Sequence, residues 1–114
     1  GGNFTCFKNV SKCYVGLHKA NAVGVIDMAK LELMKTIETG PDANRLYLNP
    51  GNNRYGLFAN ESGKSDIVSI IDTQKDVKVK DIWTGLGPHN VAFDPDGKFA
   101  VISTKKENEN IKNF

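Results

Sequence analysis

Gly87-Pro88-His89-Asn90-Val91-Ala92-Phe93-Asp94-Pro95-Asp96-Gly97-Lys98-Phe99-Ala100-Val101-Ile102-Ser103 decides the fold. Val91 to Phe93 is a short apolar run, Pro95-Asp96-Gly97 is turn chemistry, and Phe99 to Ser103 is apolar and β-branched again, so the stretch reads as a loop followed by a β-hairpin. The same phrase occurs twice upstream. Asn44 to Leu48, the turn Asn49 to Asn53 and Tyr55 to Ala59 make one copy; Asn3 to Phe7, Lys8 to Lys12 and Cys13 to Leu17 make the other.

Each upstream hairpin is followed by a second pair of strands. Ala22-Val23-Gly24-Val25-Ile26-Asp27 and Ile67-Val68-Ser69-Ile70-Ile71-Asp72 are β-branched runs closed by an acid, and Leu31 to Glu38 and Val77 to Trp83 follow them as fourth strands. Met28 to Lys35 has high helix propensity, but its counterpart Thr73 to Lys80 alternates valine with lysine, and both are read as strand. Leu31, Leu33 and Ile37 then share one face, with Met34 out of phase.

At an offset of 45 residues Ile26-Asp27 falls on Ile71-Asp72, Thr39-Gly40 on Thr84-Gly85 and Asn49-Pro50 on Asp94-Pro95; before Gly24 the offset drops to 41, which sets Tyr14 on Tyr55. A period of 40 to 45 residues holding four short strands is the signature of propeller blades. The expectation is therefore an all-β chain, an incomplete β-propeller segment with blades of four antiparallel strands. Blade 1 spans about residues 3–38, blade 2 about 44–83, the start of blade 3 about 90–104, and 105–114 is a polar tail expected as a solvated loop or frayed end.

Composition excludes several functions. The formal charge of +2 is spread rather than gathered into a stripe, against nucleic acid as a partner, and no apolar run approaches the roughly 18 residues of a membrane span. Gly1-Gly2 opens the chain without initiator Met or leader, the pattern of a processed, tagged or excised product. Cys6 and Cys13 flank a turn, and two readings stand: a disulfide across the hairpin, favoured by an oxidising compartment, or two buried free thiols. Asn3, Asn9 and Asn60 each head an Asn-x-Ser/Thr glycosylation triplet, which leans towards an extracytoplasmic protein.

The phrase Pro88 to Lys98, with Val68-Ser69-Ile70-Ile71-Asp72-Thr73 and Ile82-Trp83-Thr84-Gly85, resembles the YVTN-type β-propeller repeat. The second strands, Tyr14-Val15-Gly16-Leu17 and Tyr55-Gly56-Leu57-Phe58-Ala59-Asn60, depart from that pattern after the tyrosine. The resemblance implies kinship with quinoprotein amine dehydrogenase-like and nitrite or nitrous-oxide reductase propellers. It also implies a ring of more blades than this chain supplies, completed by other propeller segments or subunits.

In that frame the residues just before and at the start of the inner strands lie at the mouth of the central funnel: Asn3, Asn44 and His89, followed by Arg45 and Asn90. His89 is the one candidate metal ligand, as a neutral imidazole at the rim. Asp27 and Asp72 read as turn acceptors, Trp83 as inter-blade packing, and no catalytic constellation occurs. The function expected is a non-catalytic scaffold or binding surface without cofactor in an extracytoplasmic (periplasmic or secreted) assembly. The alternative is a segment of an oxidoreductase whose haem, quinone or copper sits over the funnel beside His89.

Overall fold

The computed structural model describes residues 4–7, 11–17, 20–40, 43–51, 54–60, 67–84, 88–104 and 109–113, the side chains of 43, 44, 88, 89, 104 and 109–113 excepted. Its strands are β1 (Phe4–Cys6), β2 (Lys12–Leu17), β3 (Ala22–Asp27), β4 (Glu32–Glu38), β5 (Ala43–Leu48), β6 (Tyr55–Asn60), β7 (Ile67–Asp72), β8 (Val77–Trp83), β9 (Pro88–Phe93), β10 (Phe99–Thr104) and β11 (Glu109–Asn113). They form three antiparallel sheets, in the orders β1-β2-β3-β4, β5-β6-β7-β8 and β9-β10-β11. Each sheet is a meander of consecutive strands, as short connections dictate.

Within a blade, burial follows position. Every residue of β6 but its first is buried, as is every residue of β7 but its first, whereas β8 is exposed along nearly its whole length. A sheet covered on both faces needs apolar residues at successive positions, which is why Ile67 to Ile71 is a run and not an alternation. The inner strands β1 and β2 pack on β5, while the outer strands β4 and β8 barely meet. The blades thus splay outward from their inner strands.

One local device is built twice. Asp27 Oδ1 accepts the amides of Ala29 (2.9 Å) and Lys30 (3.2 Å), and Asp72 Oδ1 those of Gln74 (2.9 Å) and Lys75 (3.1 Å), the Asx turn that a strand-closing acid favours. Each turn then reaches a left-handed residue, Leu31 (φ 54°) or Asp76 (φ 55°). Beyond it the outer strand carries a bulge: Val25 faces Lys35 and Ile26 faces Leu33, leaving Met34 over, just as Ile70 and Ile71 face Lys80 and Lys78 and leave Val79 over. The bulge shifts the phase of β4, so Leu33 and Ile37 do not share a face as the alternation predicts: Ile37 joins Val23 in the joint with blade 2, while Leu33 pairs with Ile26 on the opposite, exposed face.

Three sequence expectations are corrected. Strand pairing sets Lys12 against Asp27 and Tyr55 against Asp72, so β2 and β6 correspond at 43 residues and Tyr14 is level with Leu57, not Tyr55. Shared backbone bonds agree: Phe7 N to Lys12 O, Asn49 N to Tyr55 O and Asp94 N to Phe99 O close the three inner hairpins alike. The tail contains β11, which pairs with β10 from Phe99↔Asn113 to Ser103↔Glu109; polar residues pair at a sheet edge because the ladder uses backbone groups only. Asn44 and His89 lie inside β5 and β9 rather than before them.

Two joints hold the blades. Tyr14, Val23, Val25 and Ile37 of blade 1 bury against Leu46, Phe58 and Ile71 of blade 2, and Leu57, Val68 and Ile70 of blade 2 bury against Val91, Ala100 and Ile102 of blade 3. The second joint also interlocks two turns. Asn49 Nδ2 donates to Gly97 O (2.9 Å), and a side chain at Gly51 would collide with the Asp96 carbonyl.

Cys6 and Cys13 face each other across β1 and β2 and are joined as a disulfide. It staples the three-residue β1 to its blade. Closing so short a loop restricts the unfolded chain by about 2.5 kcal/mol, so Cys6→Ala/Cys13→Ala, or reduction, is expected to lower unfolding free energy by about that much in urea titrations followed by circular dichroism.

Candidate functional site

The first inter-blade joint carries the most densely bonded polar cluster among the described residues. Lys12 and Tyr14 lie two apart on β2 and so share a face, which is turned towards the β7–β8 turn of blade 2. Tyr14 OH donates to Asp76 Oδ1 (2.7 Å) and Thr73 O (3.1 Å); Lys12 Nζ donates to Thr73 O (2.6 Å) and pairs with Asp76 Oδ2 (3.1 Å). Burial, reinforced by Asp76, pushes the Tyr14 hydroxyl far above the ordinary phenol range. The group stays a neutral donor and works as an inter-blade pin, not as an acid or base.

At the inner strands the structure brings two of the expected rim residues together through a third. Arg45 stacks on the ring of Tyr47, its guanidinium carbon 5.1 Å from the centroid, and Tyr47 OH donates to Asn90 Oδ1 (3.1 Å). Arg45 and Asn90 are exposed. Tyr47 was missed in the sequence, although its place two residues after Arg45 puts both on one face. The cluster joins blades 2 and 3 and leaves the guanidinium facing solvent.

His89 and Asn44 occupy a special backbone position. Ala43 faces Asn60 and Arg45 faces Ala59, leaving Asn44 over; Pro88 faces Thr104 and Asn90 faces Ser103, leaving His89 over. Both are the unpaired residue of a β-bulge at the start of an inner strand, a device that re-aims side chains and recurs beside functional sites. Their side chains, and Asn3 and Asn9, lie outside the described residues.

Two further readings change. Asn60 is fully buried, and the Nδ2 that a glycan would occupy donates to Ile67 O (3.2 Å) and Ser69 Oγ (3.4 Å); the Asn-x-Ser triplet there is a strand end, not an acceptor. Trp83 is 67% exposed and packs no joint, because it ends the outermost strand of its blade.

No protein-family model matches the chain, and no curated protein matches it. Solved structures do. Hydrazine synthase of Kuenenia stuttgartiensis aligns over 96% of this chain with a TM-score of 0.86 and 22% identity, and a chain of the mitotic checkpoint complex over 96% with a TM-score of 0.77 and 14% identity. The chain is a β-propeller segment. It spans 33% of the length of each of those chains, and at these identities the likeness establishes the fold alone.

The Asx turn of blade 2 also sets a pH dependence. Burial by itself raises the Asp72 pKa, but the amides of Lys75 and Gln74 and the Arg54 guanidinium (3.3 Å) outweigh it and hold the carboxyl below its ordinary value. A depressed pKa gives stability that is present above the unfolded value, about 3.9, and lost as pH falls through the folded one. Thermal melts are expected to show wild-type stability dropping below about pH 4 more steeply than that of Asp72→Asn, which is already destabilised at neutral pH.

Proposed function

We propose that this chain is a non-catalytic segment of a YVTN-type propeller, acting as scaffold or binding surface in an extracytoplasmic assembly whose ring is completed by further blades. One observation carries the reading. The two end flanks expose apolar side chains at positions that are buried wherever two blades meet. Phe4 on blade 1 is 63% exposed, whereas Leu46, level with it by strand pairing, is buried in the first joint; Val101 on blade 3 is exposed, whereas its counterpart Leu57 is buried in the second. Contiguous exposed apolar surface of this kind marks an interaction face, and end repeats without a polar cap need a neighbour.

The Cys6–Cys13 disulfide supports an oxidising compartment. The bulge positions Asn44 and His89, with Arg45 and Asn90, supply the binding surface: polar groups on a rigid sheet edge, where a ligand is held by hydrogen bonds and by the Arg45 fork. The redox alternative rests on His89 standing at such a bulge. Among the described residues no three of His, Cys, Asp or Glu converge on one point, and both cysteines are spent on each other.

An absorption spectrum and elemental analysis of the purified assembly test the choice. The expected result is no haem, quinone or copper band; a stoichiometric band lost in His89→Ala would favour the redox reading. Arg45→Ala and Asn90→Ala each remove one contact of Tyr47 and are expected to lower stability by about 1 kcal/mol while abolishing ligand retention by the assembly.

A further inference from the structure

Resting on the reading of the inner strands as a binding surface, we infer that the ligand enters through a carboxylate group, gripped by the guanidinium of Arg45 and the side-chain amide of Asn90, with Tyr47 fixing both. Arg45 and Asn90 are equivalents one blade apart. Each directly follows the bulge residue that opens its inner strand, Asn44 before Arg45 and His89 before Asn90. Arg45 is exposed although blade 3 is packed against blade 2. Exposure at this position therefore belongs to the inner edge of a blade and owes nothing to an open flank.

Tyr47 is the fixed point. Its ring packs on the second joint, carries the Arg45 guanidinium 5.1 Å from its centroid and sends its hydroxyl to Asn90 Oδ1 at 3.1 Å. Two rotatable polar side chains are thus held in place before a ligand arrives, which lowers the ordering cost of binding. Strand pairing puts Thr5 of blade 1 and Ala92 of blade 3 level with Tyr47. The arrangement is a property of this joint and not a device of the repeat.

What Arg45 and Asn90 present to solvent is N–H donors. Asn90 Oδ1 is spent on the Tyr47 hydroxyl, which leaves its Nδ2, and the guanidinium has donors only. Of the two arginines in the chain, Arg54 pairs with Asp72, whereas Arg45 enters no salt bridge among the described residues. A group bound here must accept at more than one point and carry negative charge. A carboxylate meets the planar guanidinium fork with both oxygens. Charge separates it from a phosphate ester: Arg45 brings one positive charge and Asn90 and Tyr47 bring none, which balances one carboxylate, whereas a phosphate monoester carries nearly two negative charges at neutral pH.

Titration calorimetry of the purified assembly at constant low ionic strength tests the assignment with acetate, a triglutamate peptide, chloride and inorganic phosphate. The carboxylate probes are expected to bind more tightly than chloride or phosphate, and the tighter of the two tells a small organic acid from an acidic protein segment. Both are expected to protect Arg45 from phenylglyoxal, read by peptide mass mapping. Arg45→Lys keeps the charge but loses the fork and is expected to weaken binding by on the order of tenfold. Asn90→Asp turns a donor into a repelling acceptor and is expected to abolish it. Tyr47→Phe keeps the stacking ring but releases Asn90, and is expected to weaken binding by less than Arg45→Lys does.

Equal affinity of Arg45→Lys and wild type, or chloride or phosphate binding as tightly as either carboxylate, overturns the assignment. If no carboxylate binds while the assembly retains a ligand that Arg45→Ala releases, the carboxylate inference falls and the binding surface stands. If neither Arg45→Ala nor Asn90→Ala releases a ligand, both fall.

Discussion

The constraint on which the rest of this structure depends is that a blade has two apolar faces and can cover neither by itself. A four-stranded sheet whose inner positions are buried in succession, as in Val68 to Asp72, is covered on both faces only between two neighbours. Blade 2 has both. Its one face closes on Tyr14, Val23 and Val25 and its other on Val91, Ala100 and Ile102. Blades 1 and 3 have one neighbour each, and what they leave uncovered is the source of the functional reading.

Around that constraint the chain repeats a small set of local solutions. A strand-closing aspartate caps its own turn, the turn exits through a left-handed residue, and the outer strand absorbs one extra residue as a bulge. A second bulge opens the inner strand at Asn44 and again at His89. Variation on these shared positions is informative because the backbone is held constant. Asp76 and Leu31 sit in one conformation, so the difference between them reports what each side chain meets and not what the turn requires.

Much of the fold was legible in the residues. The acid-terminated third strands, the Thr-Gly stops and the Pro-Asp-Gly turn identify blades because they are local chemistry, each satisfied within a few neighbours. The second strands lie where the sequence puts them, but matching Tyr14 to Tyr55 sets the two copies two residues out of register, since the inner hairpin turns differ in length. The candidate site was less legible. Bulges at Asn44 and His89 leave no local trace in side-chain pattern, β11 has no apolar signal, and Asn60 carries a glycosylation triplet yet is consumed by its own strand.

By itself the sequence determined the four-strand repeat, the strand order within the first two blades and the hairpin that opens the third, because these depend on residues no more than a few positions apart. Only the tertiary structure decided which faces meet, that Tyr14 and Lys12 reach Asp76 more than 60 residues away, that Arg45 and Asn90 meet through Tyr47, and that Phe99 and Leu31 hold the places that Lys12 and Asp76 hold at the first joint. Those relations are set by the register of one sheet against the next, and register is a property of packed surfaces that spacing along a chain with unequal loops does not encode.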